Sequence, residues 1–377
     1  MGMILTDDQR QLADMARTFL AEEGTIKKQL RHWRDTGCKD GFGHGLWKQM
    51  AELGLTGLAI PEEDGGLGLG ATEAALVMEE VGRNLTPSPF LTTGIVAVEA
   101  LKGSEQGKRW FQGILSGDTV AAFAVDEGPH HRPRQIALEA KRSGNGFTLS
   151  GSKQFVVHGA SADLLIVAAR TGGSAGESEG LTLFAVERDA AGMEIENVAL
   201  TDASKAARIR FDNVQVDADA VIGEVDGGFE PLRRAMRAGR TGAAAEMVGV
   251  ASGAAAMTVD YLKQRKQFGK LIGEFQVLQH RAAHLFGEIE IARAATLKAA
   301  ELLDRGDAAS GIMTHVAKAK AGRVSALAVQ EAVQMHGGIG MTDEHDIGLY
   351  MKREKVLDAL FGDANYHARM VQVMGRS

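Results

Sequence analysis

The sequence of 377 residues has one cysteine, no excess of positive charge, and no long apolar run near its start. Cys38 alone cannot form an internal disulfide, which fits a reducing compartment. The formal net charge of -7 argues against a nucleic-acid surface, because such a surface needs clustered Lys and Arg. No early stretch approaches the roughly 20 apolar residues of a membrane span, and no signal-peptide pattern is present. We therefore expect a cytoplasmic globular protein that binds no nucleic acid.

Hydrophobic periodicity divides the chain into three parts. Apolar residues recur at helical spacing from Asp7 to about Gly117, and short β-rich runs occupy Thr119 to about Glu224. After Gly227 and Gly228 the helical period returns and continues to the end. The pattern predicts an α+β protein with an N-terminal helical domain at 1–117, a middle antiparallel β-barrel or sandwich at 118–226, and a C-terminal helical bundle at 227–377.

Two C-terminal segments carry the strongest functional signal. Residues 265–269 read Arg-Lys-Gln-Phe-Gly, with Phe275-Gln276 shortly after, and residues 334–340 read Gln-Met-His-Gly-Gly-Ile-Gly. A guanidinium can clamp a diphosphate, an aromatic ring can cover a ring system, and a Gly-Gly pair lets backbone approach phosphate closely. The first segment alone is also compatible with a basic helix end followed by a glycine cap. Together, the two segments predict a dinucleotide site without a Rossmann motif.

These segments resemble the C-terminal signature of the acyl-CoA dehydrogenase family, and the resemblance extends over nearly the whole chain. It implies FAD as cofactor, a C-terminal four-helix bundle, α,β-desaturation of an acyl-CoA thioester, and an electron-transfer flavoprotein or similar acceptor. In that family the corresponding residues reach a flavin held mainly by the neighbouring subunit, which implies a homo- or heterotetramer. The resemblance assigns the ADP half of FAD to Arg265, Gln267, Phe268, Gln276, Gln334, Gly337 and Gly338.

The chain departs from this family at the catalytic base. The family removes a proton beside the thioester carbonyl with a carboxylate kept in one of two places, which correspond here to Phe361 and Gly239. Neither is a carboxylate, so the base is unknown. Glu246 lies seven residues after Gly239, on about the same helix face but about 10 Å along. Glu246 is a candidate for a relocated base, and the alternative interpretation is a polar helix residue paired with a basic group. Asp358 is the second candidate.

The segments that would hold the flavin ring are altered as well. The resemblance places Val125, Asp126, Phe155 and Val157 beside the ring, where the family has a Thr-Glu-Pro segment and a Trp-Ile-Thr segment. Phe155 can still stack, but Val157 cannot donate a hydrogen bond to the flavin. Asp126 at its position would bring negative charge toward a ring that becomes anionic on reduction. The half of the site that reaches a neighbour is retained, and the half that holds the chain's own flavin is degraded.

This combination is similar to the small subunit of two-component acyl-CoA dehydrogenases of the pimeloyl-CoA dehydrogenase type. The hypothesis is that the chain contributes to FAD bound on a larger acyl-CoA dehydrogenase subunit, and self-association remains the alternative. A non-catalytic binding or scaffold subunit, or a flavin oxidase or monooxygenase on the same fold, also stays open.

Other apparent motifs carry less weight. Gly66–Gly70 lacks the spacing of a dinucleotide fingerprint, and two Gly-x-Ser-x-Gly matches within 172–180 lie in a polar hairpin rather than at a strand-to-helix turn. His280 and His284 stand four apart but have no third ligand in sequence. We predict no metal site.

Overall fold

The computed structural model describes residues 5–376. The chain divides into two compact units that do not follow the order of the sequence. Among the described residues, one unit contains 5–32, 71–87 and 240–376, and the other contains 33–70 and 88–239. Segments of the first 117 residues therefore contribute to both units.

Helices form where the sequence carries the 3.6-residue apolar period. The N-terminus of the first helix is stabilised by a capping box. In it the Thr6 hydroxyl accepts from the Gln9 backbone amide, and the Gln9 side chain accepts from the Thr6 backbone amide. Two π-helical turns, Lys27–Arg31 and Phe90–Ala97, interrupt the N-terminal region. The α-helices are α1 Asp7–Glu22, α2 His32–Asp35, α3 His44–Glu52, α4 Ala71–Asn84, α5 Val98–Leu101, α6 Glu105–Leu115, α7 Phe229–Gln264, α8 Gln276–Asp304, α9 Ser310–His336, α10 Ile347–Ala359 and α11 Ala364–Met374.

The β-rich middle region forms one eight-stranded sheet in the order β6-β7-β3-β2-β4-β5-β8, with β1 beside β4. The sheet is not closed, so the predicted barrel is not confirmed, and the strands are not all antiparallel because β4 runs parallel to β1 and β2. The strands are β1 Ala121–Ala124, β2 Glu139–Ser143, β3 Gly146–Val157, β4 Leu164–Arg170, β5 Leu181–Glu187, β6 Met193–Ala199, β7 Lys205–Asp217, β8 Val221–Ile222, β9 Lys266–Gln267 and β10 Lys270–Leu271, the last two forming a separate hairpin.

The core of the sheet lies around its central strands. All seven residues of β4 are buried, as expected for a strand covered on both faces. Phe147 on β3 meets Phe184 on β5 edge-to-face, with ring centroids 5.2 Å apart. Phe147 and Phe184 belong to the same buried apolar core as Leu165 and Val167 of β4.

Ion pairs and caps fix the helical unit. The Asp304 carboxylate at the end of α8 accepts from the Ala71 and Thr72 backbone amides at 2.5 and 3.1 Å, so it caps α4 across the fold. Arg31, from the N-terminal region, donates from Nε to Asp346 at 2.6 Å and from Nη2 to the Asp343 carbonyl at 2.8 Å. Both acceptors lie just before α10. These bonds hold the segment that joins α9 to α10.

Helix α7 is long and apolar enough to cross a membrane by length and composition alone, the one such helix among residues 5–376. Its most apolar window is 78% buried inside the protein, as in the central helix of a folded core. We read α7 as a core helix.

Candidate functional site

The Arg265 segment forms a tight hairpin between α7 and α8. Strands β9 and β10 pair Gln267 with Lys270, and the turn between them has positive φ at both Phe268 (53°) and Gly269 (82°). Two successive positive φ values are the requirement of a type I′ hairpin turn, which glycine meets without strain but phenylalanine does not. The backbone holds the Phe268 ring outward, and that residue is 91% exposed.

The Gly337 turn ends α9 and lies beside the end of α7. Gly337 itself has φ 64° and ψ -142°, and a Cβ at Gly337 or Gly338 would meet no atom within 4 Å. The ring of Tyr261, one turn before Arg265, stacks on the ring of His336 with centroids 4.5 Å apart. This contact brings the two predicted segments together at one end of the helical unit.

The polar side chains predicted for the ADP half of FAD are turned to solvent. Within residues 5–376, no side-chain hydrogen bond or ion pair joins any of them to another part of the chain. An exposed guanidinium and exposed amides next to accessible glycine backbone suit a diphosphate. The residues of this group therefore fit the ADP half of FAD. They are Arg265, Gln267, Gln276 and Gln334.

The ring half of the predicted site lies in the β unit. Phe155 interrupts the pairing of β3 with β7, at a register shift between Lys153 and Val156, and has φ 53°. Such a bulge re-aims a side chain, and the Phe155 ring is partly exposed. The side chain of Val157, which is partly exposed, has no polar atom to offer a flavin.

Asp126 uses its carboxylate within its own loop. Its Oδ2 lies 2.8 Å from Nδ1 of His131, and its Oδ1 accepts from the Arg132 backbone amide at 2.9 Å. The Asp126 carboxylate, which was expected to face the flavin ring, is thus bound by two groups of its own loop. The sequence did not indicate these partners.

Lys153 and Glu127 anchor the start of the same loop. The fully buried Lys153 ammonium donates to the Val125 carbonyl at 3.0 Å and to Glu127 at 2.7 Å. Burial lowers the pKa of Lys153, and the neighbouring Glu127 opposes that shift. The loop surrounds an open cavity of about 370 Å³. It is lined by Glu127, Gly128, Pro129, His130, Arg132 and Gln135.

The two family base positions hold no carboxylate, and the aspartates near Phe361 serve as helix caps. Asp363 is the N-cap of α11 and accepts from the Tyr366 amide at 2.5 Å. Asp358 accepts from the Ala364 amide at 3.2 Å. Phe361 is buried with φ 60°, and Gly239 is a buried residue of α7.

Glu246, the candidate for a relocated base, is 2% exposed and is bound by Arg353 of α10. Its Oε1 accepts from Nε at 2.7 Å and lies 2.6 Å from Nη2. This geometry agrees with the alternative interpretation of Glu246. It is a polar residue in an Ala-rich helix that is paired with a basic group on a facing helix.

Lys318 is a buried residue of this region that the sequence did not reveal. Its ammonium donates to the carbonyls of Leu357 and Gly362 at 2.8 and 3.1 Å, and so supports the turn that contains Phe361. Burial lowers its pKa to about 8, against the opposing charge of Asp358. A lone lysine in a helix gives no sequence signal of this kind.

A second unanticipated group adjoins Gly239. Arg240 and His315 are both buried, and Nη1 of Arg240 lies 3.3 Å from Nε2 of His315. The His315 Nδ1 lies 2.7 Å from Nδ1 of His367. Because a guanidinium only donates, His315 Nε2 is the acceptor, so its Nδ1 carries the proton and donates to His367.

With this geometry in place, comparison with known proteins decides the family. Three sequence profiles match: acyl-CoA dehydrogenase, N-terminal domain at residues 6–118, middle domain at 126–214, and C-terminal domain at 226–373. The chain belongs to the acyl-CoA dehydrogenase family. Its members are FAD-dependent oxidoreductases that act on acyl-CoA, which confirms the predicted cofactor and reaction class.

Individual relatives agree over almost the full length. The acyl-CoA dehydrogenase FadE12 of Mycobacterium tuberculosis is 32% identical over 360 residues, which are 93% of this chain and 91% of that protein. The butyryl-CoA dehydrogenase of Megasphaera elsdenii superposes with a TM-score of 0.88 at 26% identity, covering 100% of both chains. A variant of the Tcur3481-Tcur3483 steroid ACAD superposes with a TM-score of 0.86 at 30% identity, covering 97% of each chain.

No group of three or more His, Cys, Asp or Glu side chains within residues 5–376 is arranged to hold a metal ion. FAD is the cofactor whose fit the exposed donors support. In this family FAD accepts a hydride from the acyl chain, and Arg265 and its neighbours are the residues that would hold it.

Proposed function

We propose that this chain is the base-deficient subunit of a two-component acyl-CoA dehydrogenase, similar to the pimeloyl-CoA dehydrogenase small subunit. It supplies Arg265, Gln267, Phe268, Gln276, Gln334 and the Gly337–Gly338 turn to the ADP half of FAD. A larger partner holds the ring and the carboxylate base. The pairing of solvent-facing diphosphate donors with base positions that hold Gly239 and Phe361 is the observation that carries this proposal.

The carboxylates nearest in sequence to the two family base positions support the proposal. Asp358 and Asp363 are bound to backbone amides, and Glu246 is bound to Arg353. A general base must reach the substrate proton, and a carboxylate held this way would first have to release its partner. The chain thus keeps a cofactor-binding function while lacking a ready proton acceptor at these places.

Exposed apolar side chains near the diphosphate donors support a subunit contact. Phe268 is 91% exposed, Met341 80% and Ile339 41%. Grouped apolar exposure of this kind marks interaction surfaces, and the strained backbone at Phe268 is kept where a partner uses it. The similar steroid ACAD carries two protein names, Tcur3481 and Tcur3483.

The cavity beside Arg132 supports an acyl-CoA substrate. His130 and Arg132 line it, whereas the Glu127 carboxylate accepts from Lys153 and from the Ala137 and Leu138 amides. The accessible charge of this cavity is therefore cationic, which suits the phosphates of coenzyme A. An electron-transfer flavoprotein fits the family as the acceptor of electrons from the flavin. The proposal also includes a cytoplasmic location. Its three domains lie at 1–117, 118–226 and 227–377.

The test compares the isolated chain with the chain co-expressed with larger acyl-CoA dehydrogenase subunits from its own genome. Visible absorbance measures bound FAD, and bleaching on addition of acyl-CoA measures reduction. We expect bleaching from the two-chain assembly only. A full complement of FAD together with acyl-CoA turnover in the isolated chain would refute the two-component proposal, and flavin that never bleaches would instead indicate a scaffold subunit.

A further inference from the structure

An aromatic cluster lies directly behind the Gly337–Gly338 turn. It consists of Tyr261 on α7, His336 at the last position of α9, and His345 from the segment before α10. Ring centroids are 4.5 Å apart for Tyr261 and His336, and 4.5 Å apart for His336 and His345. We call these three residues the Tyr261–His336–His345 cluster.

The hydrogen bonds of His336 fix its tautomer. Its Nδ1 lies 2.7 Å from the Ala332 carbonyl oxygen, which only accepts, so Nδ1 carries the proton and donates. The Nε2 of a neutral ring is then an acceptor. His336 is 3% exposed, and its buried Nε2 has no hydrogen-bond partner within the described part of the chain. A proton on Nε2 would place an unsolvated cation in this pocket.

The groups around the ring do not compensate such a cation. Tyr261 faces it from α7 and His345 from the following segment, and neither is an anion. Asp343 and Asp346, which flank His345, are engaged by Arg31. The α8 ion pair nearest along α9 joins Arg281 to Glu331, five residues before His336. Burial therefore lowers the pKa of His336, and His345 lowers it further, although the bond to the Ala332 carbonyl opposes the shift.

The cluster joins the two walls of the diphosphate site. Tyr261 precedes Arg265 by one helical turn, and its carbonyl accepts from the Arg265 amide at 2.9 Å. His336 immediately precedes Gly337, and a Cβ at Gly340 would lie 3.1 Å from the His336 Cβ. Any displacement of the imidazole therefore acts on the guanidinium-bearing hairpin and on the glycine turn together.

We propose that His336 is a positioning residue whose neutral imidazole keeps the Arg265 hairpin and the Gly337–Gly338 turn in the arrangement that binds the ADP half of FAD, so that protonation releases the cofactor. This inference rests on the proposed assignment of these segments to FAD. The sign follows from the depressed pKa: the neutral ring is present above the ordinary value of 6.5, and binding is lost as the pH falls through the lower pKa of the folded protein.

The experiment measures FAD affinity by isothermal titration calorimetry of the assembled protein between about pH 8 and about pH 5, with circular dichroism as a check that the fold persists. For the wild type we expect the Kd to rise by up to about tenfold per pH unit once the pH is below the pKa of His336. His336→Gln keeps a donor for the Ala332 carbonyl, and His336→Phe keeps the stacking with Tyr261. Both variants should bind FAD at the higher pH and show a flat profile.

The exposed His284 provides the matched control, because His284→Gln should keep the wild-type profile. A flat wild-type profile overturns the inference. So does an acid loss that persists in both His336 variants, or loss of binding in both variants at every pH, which would indicate a purely structural ring. Wild-type protein that binds no FAD even at the higher pH would count against the FAD site itself, and the inference would fall with it.

Discussion

Arg353 of α10 binds Glu246 of α7 through a buried ion pair, with Nε 2.7 Å from Oε1. Glu246 is 2% exposed, so its charge depends on this partner. The pair connects two helices of the same unit and occupies the carboxylate that a relocated base would need.

Glu246→Gln is accordingly expected to reduce stability and to leave chemistry unchanged. Losing one charge of the buried pair should lower the free energy of unfolding by about 2 kcal/mol, measured by chemical denaturation. Bleaching of the flavin by acyl-CoA, expressed per folded assembly, should match that of the wild type. The same substitution at Glu196, in an exposed pair with Arg208, should cost less than about 1 kcal/mol. Lost bleaching with normal stability would instead identify Glu246 as the base.

Lys318 should give the protein a stability that rises in alkali. Its pKa is about 8 in the folded protein and 10.5 ordinarily, so the unfolded chain holds the extra proton between these values. The free energy of unfolding should rise across this window by up to about 3 kcal/mol. Lys318→Met should remove this rise, and it should also lower stability at neutral pH because three carbonyl contacts are lost.

Denaturation at neutral and alkaline pH measures the difference between the wild type and Lys318→Met. Lys320→Met is the control, since the Lys320 side chain reaches Glu288 on the neighbouring helix instead of a buried turn. Equal pH slopes for the wild type and Lys318→Met would contradict the prediction.

Phe268 is expected to lower the stability of the chain and to raise its affinity for FAD. Glycine adopts its φ of 53° without strain, so Phe268→Gly is expected to stabilise the isolated chain by up to about 1 kcal/mol. The same change removes an exposed ring proposed to cover the cofactor, so FAD affinity should fall. Phe268→Leu separates the two effects, because it keeps the strain but loses the aromatic face. Thermal melting and FAD titration measure them, and a Phe268→Gly protein that binds FAD normally would exclude a cofactor role for the ring.

Arg132 should contribute to coenzyme A recognition. It lines the loop cavity, and Arg132→Gln is expected to weaken coenzyme A binding by roughly 10-fold, with less dependence on salt. Arg142→Gln is the matched control, because Arg142 lies over the Phe147 ring outside this cavity. Calorimetry with coenzyme A measures both, and equal affinities would exclude the cavity as the phosphate site.

Sequence patterns predicted the parts of the protein in which function leaves a local signature. The Arg265 and Gly337 segments were recognisable because glycine and arginine are required at fixed spacing, and the strands of the middle region were recognisable from β-branched runs. The open sheet was not predictable, because strands β2, β6 and β8 are polar or short and closure depends on long-range pairing.

The buried charges of the protein were also not predictable from its sequence. Lys153 and Lys318 look like surface residues in sequence. Only the fold shows that the Lys153 ammonium binds the Val125 carbonyl and the Glu127 carboxylate, and that the Lys318 ammonium binds backbone carbonyls. The Asp126 carboxylate likewise gained its partners, His131 and the Arg132 amide, from a loop conformation that has no sequence period.

The most direct test of the central claim is the affinity of FAD for assemblies that carry Arg265→Ala, measured by calorimetry beside the wild type. A bidentate, charge-assisted grip on the diphosphate predicts a Kd raised by roughly 10- to 100-fold, with Arg265→Lys in between and the nearby Lys263→Ala unchanged. An Arg265→Ala assembly that binds FAD as tightly as the wild type would contradict the account.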